Sequence, residues 1–491
     1  MRTWLLVSVL FAASCSFAKA NPEYCERNDQ CLTTGSFCDP LRHRCTQPPA
    51  ELQLTAVEPP TGLASGGTSI TLRGQNFKSG MSVLINGVPT GATFVSAAGD
   101  SATTVAPFSN GVCGPVRVRV TNLDGESVEN AAAFRYRFGN VNFTPSASTT
   151  IYTAAAAVGL VAVSTSGSNW NDLVALSSAA PSSLKIMQVG PTGQFGNSSA
   201  YSATATYAQL FAANLNSDDY SDLITLRSTG AGAASLWLGA AGSSFSESLI
   251  LNSTYKSAAT IDLNQDGLED LVLNGQTNLG VYRNSSAAGV AAFSQVTGNQ
   301  PNGAGNFLAV NRFDADMIGD VAVADAMGML AVSFGNGNFG FATTVNPPSG
   351  LGSAGFMTSA DIDQDGRPDI VMADPFSRTL SIIRNLGNRA FAAPMTSILN
   401  SQPDFLQVAD VDCDGFPDIV YVQRGTRLVN IQRNQGIAPY FDTVQKVSFT
   451  APDNIALLIT ARLDQDNLTD LAMVGTTPMQ NMAYILRNIS Q

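Results

Sequence analysis

The chain contains very little histidine and few charged residues of either sign. One histidine, His43, occurs in 491 residues, and Asp, Glu, Lys and Arg together make up 13%. The single histidine excludes Ser-His and Cys-His nucleophilic schemes from the rest of the chain. The P-loop, G-x-S-x-G and H-E-x-x-H motifs are absent as well. We therefore expect a protein without enzymatic activity.

The charge balance excludes two classes of partner. The formal net charge is −12, from 26 Lys and Arg against 38 Asp and Glu. Nucleic acids and anionic membranes are bound by basic patches, which an acidic chain of this kind does not supply. We therefore expect neither nucleic acid nor a membrane surface as partner.

Long apolar segments are also scarce. Residues 1–20 hold one Arg, an apolar run and the ending Ala18-Lys19-Ala20, which predicts a secretory signal peptide. This run is too short to span a bilayer, and no later segment is long enough, so we expect no membrane span. The sequence Ala-Ala-Ser-Cys leaves open a second interpretation, in which Cys15 carries a lipid anchor. In both cases the mature chain is expected to be secreted or held at the cell surface.

Cysteine is concentrated in one short segment. Residues 21–48 contain four of the seven cysteines, namely Cys25, Cys31, Cys38 and Cys45. In an exported chain this predicts a small two-disulfide module, with all three pairings open. A zinc site is the alternative, and the spacing of the cysteines does not favour it. Cys113 and Cys413 are left over; we expect them to be unpaired, with a bridge between modules as the alternative.

An acidic nine-residue pattern with a central glycine recurs along the chain. Its clearest form is DIDQDGRPD at 361–369. The copies start at residues 164, 214, 262, 312, 361, 410 and 462, which are separated by 50, 48, 50, 49, 49 and 52 residues. Apolar runs precede and follow each copy, and in most copies a third run ends in a turn such as Arg-Asn. Several short strands per fixed period predict radial β-sheets around a ring, because one repeat cannot bury its faces alone.

This repeat resembles the FG-GAP/VCBS family, the repeat of integrin α-chain propellers. The resemblance implies a seven-bladed β-propeller over residues 138–491, with four strands in each blade. The last repeat contains only three recognisable strands. We expect residues 138–147 to supply the fourth strand and thereby to close the ring.

The acidic pattern is typical of a calcium loop. Carboxylates this close repel one another unless a cation offsets their charge. Calcium takes six to eight oxygen ligands, and positions one, three, five and nine, with a backbone carbonyl at seven, supply them. An EF-hand is excluded because position twelve is Met372 rather than glutamate and because a strand-like run follows Asp369. We interpret the pattern as a Ca²⁺ loop that joins two strands of a hairpin.

The family resemblance assigns complete ligand sets to three loops and a weaker set to a fourth. The complete sets are Asp262, Asn264, Asp266 and Asp270; Asp361, Asp363, Asp365 and Asp369; and Asp410, Asp412, Asp414 and Asp418. The weaker set is Asn214, Asn216, Asp218 and Asp222, where Asp219 replaces the glycine.

The other three copies depart from the pattern. Arg312 and Arg462 occupy position one, and we expect each guanidinium to pair with the aspartates of its own loop in place of calcium. The first copy has Ser164, Ser166 and Ser168 at ligand positions and keeps only Asp172, so we expect it to bind nothing.

A different module precedes the repeats. Residues 53–137 contain alternating apolar and polar positions, which are typical of half-buried strands. The stretches PPTG, GGTSITLRGQNF and VRVRVTNLDG resemble the IPT/TIG family, which implies an immunoglobulin-like β-sandwich. The expected fold class is therefore all-β, with a seven-bladed β-propeller preceded by this sandwich and by the small disulfide-rich module.

These features favour a binding or adhesion protein of the extracellular space. Its propeller, stabilised by Ca²⁺, is expected to bind another extracellular protein. The alternative is a calcium-stabilised lectin with a glycan ligand, for which Trp170, Tyr220 and Trp237 are candidates for stacking on sugars. Repeated sugar pockets require similar residues in several blades, and the sequence contains no such set outside the acidic loops. A passive surface or matrix component is a third alternative.

Overall fold

The computed structural model describes most of the chain after the N-terminal segment. It describes residues 37–39, 44–46 and 51–490, with gaps at 110–111, 154, 166–167, 217, 228–233, 252–254, 276–278, 288–289, 299–304, 442–445, 467 and 478–479. No helix occurs among these residues, and the strands form antiparallel sheets throughout. The predicted all-β fold class is confirmed.

The chain divides into two compact units. One consists of Met1–Asn110 and Pro115–Arg135, and the other of Gly111–Gly114 and Tyr136–Gln491. The predicted signal peptide at 1–20, Cys15, Cys25 and Cys31 lie outside the described residues. Within the predicted disulfide module, β1 (Phe37–Asp39) pairs with β2 (Arg44–Thr46), and Cys38 is disulfide bonded.

The first unit contains a two-sheet β-sandwich. One sheet has the order β3-β5-β9-β8, with β3 Gln53–Glu58, β5 Ser69–Gln75, β8 Phe94–Val95 and β9 Ser101–Val105. The other has the order β4-β11-β10-β6-β7, with β4 Thr61–Leu63, β6 Ser82–Ile85, β7 Val88–Pro89, β10 Gly114–Thr121 and β11 Ser127–Arg137. Alternate residues of β5 and β10 are buried, among them Ile70, Leu72, Val118 and Val120, as the alternating sequence pattern predicts.

The described residues of the second unit form seven four-stranded sheets. The first three are β13 to β16 (Ala157–Val163, Asp172–Ser177, Ser183–Val189, Phe195–Ser202), β17 to β20 (Tyr207–Ala213, Asp222–Arg227, Ala234–Ala240, Ser244–Leu251) and β21 to β24 (Tyr255–Ile261, Asp270–Gly275, Leu279–Asn284, Phe293–Gln295). The next two are β25 to β28 (Phe307–Asn311, Asp320–Ala324, Leu330–Gly335, Phe341–Val345) and β29, β30, β31 and β34 (Phe356–Ala360, Asp369–Asp374, Thr379–Ile383, Met395–Ile398), the latter with a small hairpin of β32 (Asn385–Gly387) and β33 (Ala390–Phe391). The sixth is β35 to β38 (Pro403–Ala409, Asp418–Gln423, Leu428–Gln432, Lys446–Thr450), and the seventh joins β39 to β41 (Asn454–Ala461, Asp470–Thr476, Asn481–Asn488) with β12 (Phe143–Tyr152).

These sheets form a closed ring. The first strand of each sheet contacts the first strand of the next, and β39 of the last sheet contacts β13 of the first. The second strands are buried along all or nearly all of their length, as in Asp369–Asp374, because both faces of each sheet are covered by neighbouring sheets. A ring of packed four-stranded sheets is the architecture of a β-propeller.

The last sheet is completed by a strand from the start of the propeller unit. β12 pairs with β41, from Phe143 opposite Asn488 to Tyr152 opposite Asn481. The prediction that a segment before the first repeat supplies the missing strand is confirmed, although the strand begins and ends later than the predicted 138–147. Phe143 is buried in a cluster that includes Val411, Leu458 and Leu486, and its ring stacks on Phe449 at 5.6 Å.

We predict that Phe143→Ala destabilises the propeller by about 3 kcal/mol, because it removes a buried aromatic side chain from the closing strand. Thr144→Ala is the matched control, since its side chain is exposed on the same strand. Denaturant unfolding measures both free energies. Equal stability of the two variants would contradict the closing role of this strand.

Candidate metal centres in the acidic loops

Each sheet of the ring has its acidic loop between its first and second strands. In the fifth sheet the loop starts after Ala360, the last residue of β29, and ends at Asp369, the first residue of β30. The two strands pair in the same hairpin, with Ala360 opposite Asp369. The predicted hairpin position of the acidic pattern is therefore confirmed.

Three of the loops share one backbone conformation. Their position-six glycines have φ values of 84°, 83° and 91°, a region that glycine adopts without steric cost. The amide of each glycine donates to the position-one carboxylate at 2.9–3.0 Å. The pairs are Gly267 with Asp262, Gly366 with Asp361 and Gly415 with Asp410. The glycine therefore turns the chain so that the first carboxylate faces into the loop.

The position-nine aspartate is buried and accepts hydrogen bonds in all seven sheets. One carboxylate oxygen of Asp369 accepts from the Ile362 amide at 3.0 Å, and the other accepts from the Asn385 amide at 2.8 Å. The same two-oxygen arrangement is found at Asp222, Asp270, Asp320, Asp418 and Asp470. In the eroded first copy, Asp172 accepts from the Val189 amide and from a Thr165 hydroxyl. The position-nine aspartate thus links the loop to the end of the third strand by hydrogen bonds. Sequence reasoning missed this structural role.

Burial changes the acidity of these position-nine groups. It raises the pKa of Asp222 and Asp270 to about 6 and that of Asp320, Asp369 and Asp470 to about 7. Burial and repulsion from Asp412 raise the pKa of Asp418 well above the ordinary value of a carboxyl. The loops therefore concentrate negative charge that the protein alone offsets only in part.

The loop at 361–369 has donor atoms suited to a hard cation. Single carboxylate oxygens of Asp361, Asp363 and Asp365 all lie within 4.8 Å of one another. Oδ1 of Asp363 is buried and has no hydrogen-bond partner. An oxygen in that position loses its hydration without replacement unless a cation binds it. These residues therefore fit a cation with oxygen ligands, whereas Asp369 lies outside this group of three.

The loop at 410–418 also gathers three carboxylates. Oxygens of Asp410, Asp412 and Asp418 lie within 4.8 Å of one another, and Asp412 and Asp418 are buried. Asp414 stays outside this group, and burial together with repulsion from Asp412 raises its pKa to about 7. Position nine therefore joins the group in this loop, in contrast to the loop at 361–369.

In the loops at 214–222 and 262–270, asparagine side chains donate hydrogen bonds within the loop. Nδ2 of Asn264 donates to Asp266 at 2.8 Å, and Nδ2 of Asn216 donates to Asp218 at 2.8 Å. Nδ2 of Asn214 donates to the backbone carbonyl of Asp218 at 3.1 Å. In these loops an amide group therefore already contacts the position-five residue.

Arginines contact the acidic loops of the fourth and seventh sheets, but they are not the arginines expected from the sequence. Asp314 and Asp316 pair with Arg389, at 2.7 and 3.5 Å. Asp464 and Asp466 pair with Arg487. The expectation that Arg312 and Arg462 are the partners is wrong, because the cations come from later segments that fold back onto the loops. Asp464, Asp466 and Asp470 also form a third group with oxygens within 4.8 Å of one another. In the first copy, the Ser168 hydroxyl donates to the Trp170 carbonyl, and Ser166 lies outside the described residues.

The recurring Arg-Asn dipeptide at or just after the end of the third strand is the signal that sequence reasoning treated only as a turn. Arg384 pairs with Asp363 at 2.7 Å, Arg433 pairs with Asp412, and Arg487 pairs with Asp464. In each case the arginine contacts the position-three aspartate of its own repeat. It therefore supplies one positive charge to the loop from the end of the third strand or the residue after it.

The asparagine of the same dipeptide connects neighbouring sheets. Nδ2 of Asn434 donates to the Ile362 carbonyl of the preceding sheet at 2.9 Å. The equivalent bonds run from Asn284 to Leu215, from Asn385 to Phe313 and from Asn488 to Val411, at 2.7–2.8 Å. The loops therefore take part in the hydrogen bonds between neighbouring sheets, and they also carry the carboxylate groups that could hold a cation.

The fold and these loops define a β-propeller with acidic inter-strand loops, preceded by a β-sandwich. Models of two families match the chain: the FG-GAP-like repeat over residues 312–372 and 361–421, and the IPT/TIG domain over residues 52–136. The chain therefore carries FG-GAP-like repeats and an IPT/TIG domain, as the sequence motifs indicate. Proteins with these modules are typically binding proteins. No curated protein sequence matches the chain.

Several solved structures are similar to the chain at low sequence identity. BBS1N, solved in complex with ARL6DN, is 12% identical with a TM-score of 0.48, and the match covers 70% of this chain and 96% of that one. An auxiliary nutrient binding protein from Bacteroides ovatus is 12% identical with a TM-score of 0.36, covering 90% and 99%. A putative phosphatase from Bacteroides thetaiotaomicron is 10% identical with a TM-score of 0.33, covering 89% and 98%.

Among the described residues, no helix has the length and apolar character needed to cross a membrane.

Proposed function

We propose that this chain is an exported, non-enzymatic binding or adhesion protein whose propeller engages another extracellular protein. Calcium in the acidic loops stabilises the propeller. The observation that carries the proposal is a group of exposed apolar side chains at the end of the sheets opposite to the acidic loops. Met327, Met329 and Phe376 are 66%, 69% and 67% exposed, and we call them the apolar patch.

The strand register shows at which end of the sheets the apolar patch lies. The acidic loops follow the last residues of the first strands, whereas the patch lies on loops that follow the second strands. In an antiparallel hairpin these two connections lie at opposite ends. A partner bound at the patch therefore leaves the acidic loops free.

The patch loops come together around Ala354 and Gly355. The Ala354 amide donates to the Ala326 carbonyl at 3.1 Å, next to Met327. Pro375, next to Phe376, lies so close to Gly355 that a Cβ added there would meet its ring at 2.5 Å. The two loops of the apolar patch thus border the same short segment.

A small cavity opens beside this segment. It has a volume of about 180 Å³ and is lined by Phe307, Gly355, Phe356, Met357, Thr358, Val371 and Leu406. Most of these residues belong to the first strands of three successive sheets. The size and the apolar lining suit one side chain of a protein partner better than a sugar, which needs several polar groups.

The apolar patch also has a positively charged neighbour. The Arg424 guanidinium lies 5.6 Å from the centre of the Phe376 ring, and it pairs with Asp404 at 2.8 Å. Methionine, aromatic and arginine side chains are enriched at protein interfaces. This composition favours a protein as the partner.

The positions of two tryptophan side chains count against the lectin alternative. Trp237 is buried, and its indole donates to Thr225 at 3.1 Å, so its ring is not available to a sugar. The Trp170 indole donates to the Val189 carbonyl at 2.7 Å, and its ring packs against the core shared by the first and last sheets. The two tryptophans proposed for stacking therefore serve the ring itself.

Calcium is proposed as the natural cation of the loops at 262–270, 361–369 and 410–418, with 214–222 as a weaker site. Its positive charge would offset the carboxylates, and its coordination by several loop oxygens would hold each loop in one conformation. The unpartnered Oδ1 of Asp363 supports this assignment. Export is proposed from the signal-like residues 1–20, which also make a lipid anchor at Cys15 the alternative form of attachment.

We predict that Phe376→Asp weakens protein binding roughly tenfold or more, because it places a charge at the centre of an apolar contact. The test presents the purified chain, in calcium buffer, to the extracellular proteins of the cells that produce it, and then measures the Kd of the captured partner. Ile437→Asp is the matched control, since Ile437 is equally exposed on a different loop. Binding to a glycan array without any protein partner would favour the lectin, and equal effects of both variants would contradict the patch.

A further inference from the structure

The loop at 410–418 is more buried than its counterparts, although its backbone follows the same path. Position four has a positive φ in all three complete loops, 63° at Gln265, 58° at Gln364 and 63° at Cys413. At position five, Asp266 and Asp365 are exposed, whereas Asp414 is only 8% exposed. The difference therefore comes from what lies over the loop and not from its shape.

Two short segments of the same compact unit lie over this loop. Cys113 forms a disulfide with Cys413, the position-four residue, with 5.6 Å between their Cα atoms. The Phe138 amide donates to the Asp412 carbonyl at 2.7 Å. The expectation that Cys113 and Cys413 are unpaired is therefore wrong, since folding brings together residues 300 positions apart. We call Cys113 and residues 138–139 the cover.

Arg433 also contacts the cover. Its guanidinium donates to the carbonyls of Phe138 and Gly139 at 3.1 and 3.2 Å and pairs with the Asp412 carboxylate. The equivalent residue Arg384 in the fifth sheet pairs with Asp363 and donates to the Tyr440 hydroxyl. The sixth loop alone among the three complete loops is thus closed by a covalent bond at position four.

We propose that the Cys113–Cys413 disulfide is a redox latch that controls cation exchange at the loop 410–418. The proposal rests on the calcium function proposed above. A cation in the loops at 262–270 and 361–369 exchanges directly with solvent, because positions four to six of those loops are exposed. A cation under the cover leaves only when the cover opens, and local opening of a cross-linked segment is slow.

Reduction would release the latch. A dithiol gives two electrons and two protons to the sulfur pair, so the S–S bond breaks, two thiols form, and the dithiol becomes a cyclic disulfide. The cover is then held by hydrogen bonds and the Arg433 contacts alone. Cation exchange at the sixth loop is expected to approach that of the other two.

The test measures calcium release from the loaded full-length chain after rapid mixing with a fluorescent chelator. In the oxidised chain we expect a fast phase and a separate phase that is roughly tenfold or more slower. Asp410→Ala should remove the slow phase, and Asp361→Ala should reduce only the fast one. A double variant, Cys113→Ser with Cys413→Ser, should release all calcium in the fast phase while leaving the N-terminal cysteines unchanged.

The possible results distinguish a failure of the latch proposal from a failure of the calcium proposal. Release at a single rate from the oxidised chain would overturn the latch and leave calcium binding intact, whereas absence of bound calcium would overturn both. If the double variant does not fold, the wild-type chain is compared before and after reduction with dithiothreitol. Loss of the folded circular dichroism signal on that reduction would also overturn the latch, because the disulfide would then be needed for the fold itself.

Discussion

The metal-free chain is expected to lose thermal stability as the pH rises from 5 to 7.5, and calcium is expected to offset the part of that loss that arises in the loops that bind it. Burial holds the pKa of Asp320, Asp369 and Asp470 at about 7 in the folded chain, and that of Asp222 and Asp270 at about 6. In the unfolded chain the same carboxyls have a pKa of about 3.9. The folded state therefore binds more protons than the unfolded state across this pH window.

The direction of the effect follows from proton linkage. Stability falls with rising pH wherever the folded state holds the extra protons, so these groups stabilise fully below the unfolded pKa and lose that contribution as the pH passes the folded pKa. Carboxyls with lowered pKa values, such as Asp100, Asp124 and Asp314, titrate below this window and do not reverse it. Several groups act together, so we expect the Tm to fall by roughly 5 °C or more.

Calcium should change this dependence because it binds the deprotonated carboxylates and releases their protons. Saturating calcium at pH 7.5 is therefore expected to restore the part of the lost Tm that arises in the loops proposed to bind it, but not the part that arises at Asp320 and Asp470. Melting curves at both pH values, with and without calcium, measure the effect. A metal-free chain whose Tm rises or stays constant over this range would contradict the raised pKa values of the buried position-nine carboxyls.

The second large effect is expected at position nine. Asp369→Ala removes the acceptor of two buried backbone amides, Ile362 and Asn385, and each unsatisfied amide costs about 1–3 kcal/mol. We therefore predict a loss of about 4 kcal/mol in the free energy of unfolding, even in the absence of calcium.

Asp365→Ala is the matched control for this prediction. Asp365 lies in the same loop, is exposed, and pairs with Arg367 at the surface, so its loss without calcium should be within about 1 kcal/mol. Denaturant unfolding in a chelator measures both variants. Similar losses for both would mean that position nine acts only as a cation ligand and not as a link between strands.

The general architecture could be predicted because a propeller is built from several sheets of the same kind. Each sheet needs the same strands and the same turn, so the acidic pattern recurs at a nearly constant interval along the sequence. The closing strand was predictable for a related reason: the last repeat has three strands, and its open edge needs a partner. The shift from 138–147 to Phe143–Tyr152 shows that composition locates such a strand better than it fixes its ends.

The details of the loops were less accessible from the sequence. Position nine looks like a fourth ligand, but its burial and its two backbone hydrogen bonds depend on where the third strand runs. Arg312 and Arg462 belong to their loops in sequence, whereas Arg389 and Arg487 contact these loops only because the chain folds back onto them. The Cys113–Cys413 disulfide joins residues 300 positions apart, a separation across which sequence alone carries no distance information.

The central claim is that the acidic loops bind calcium in the folded state, and a thermal melt of residues 21–491 at pH 7.5 tests it most directly. A cation that binds only the folded chain adds about 2.7 kcal/mol for each site at a hundredfold excess over its Kd, so calcium should raise the Tm by several degrees over EGTA. The triple variant Asp262→Ala, Asp361→Ala and Asp410→Ala should lose that rise. Identical melting of the wild-type chain in calcium and in EGTA would contradict the claim, and would mean that arginines and backbone amides alone hold the aspartates in place.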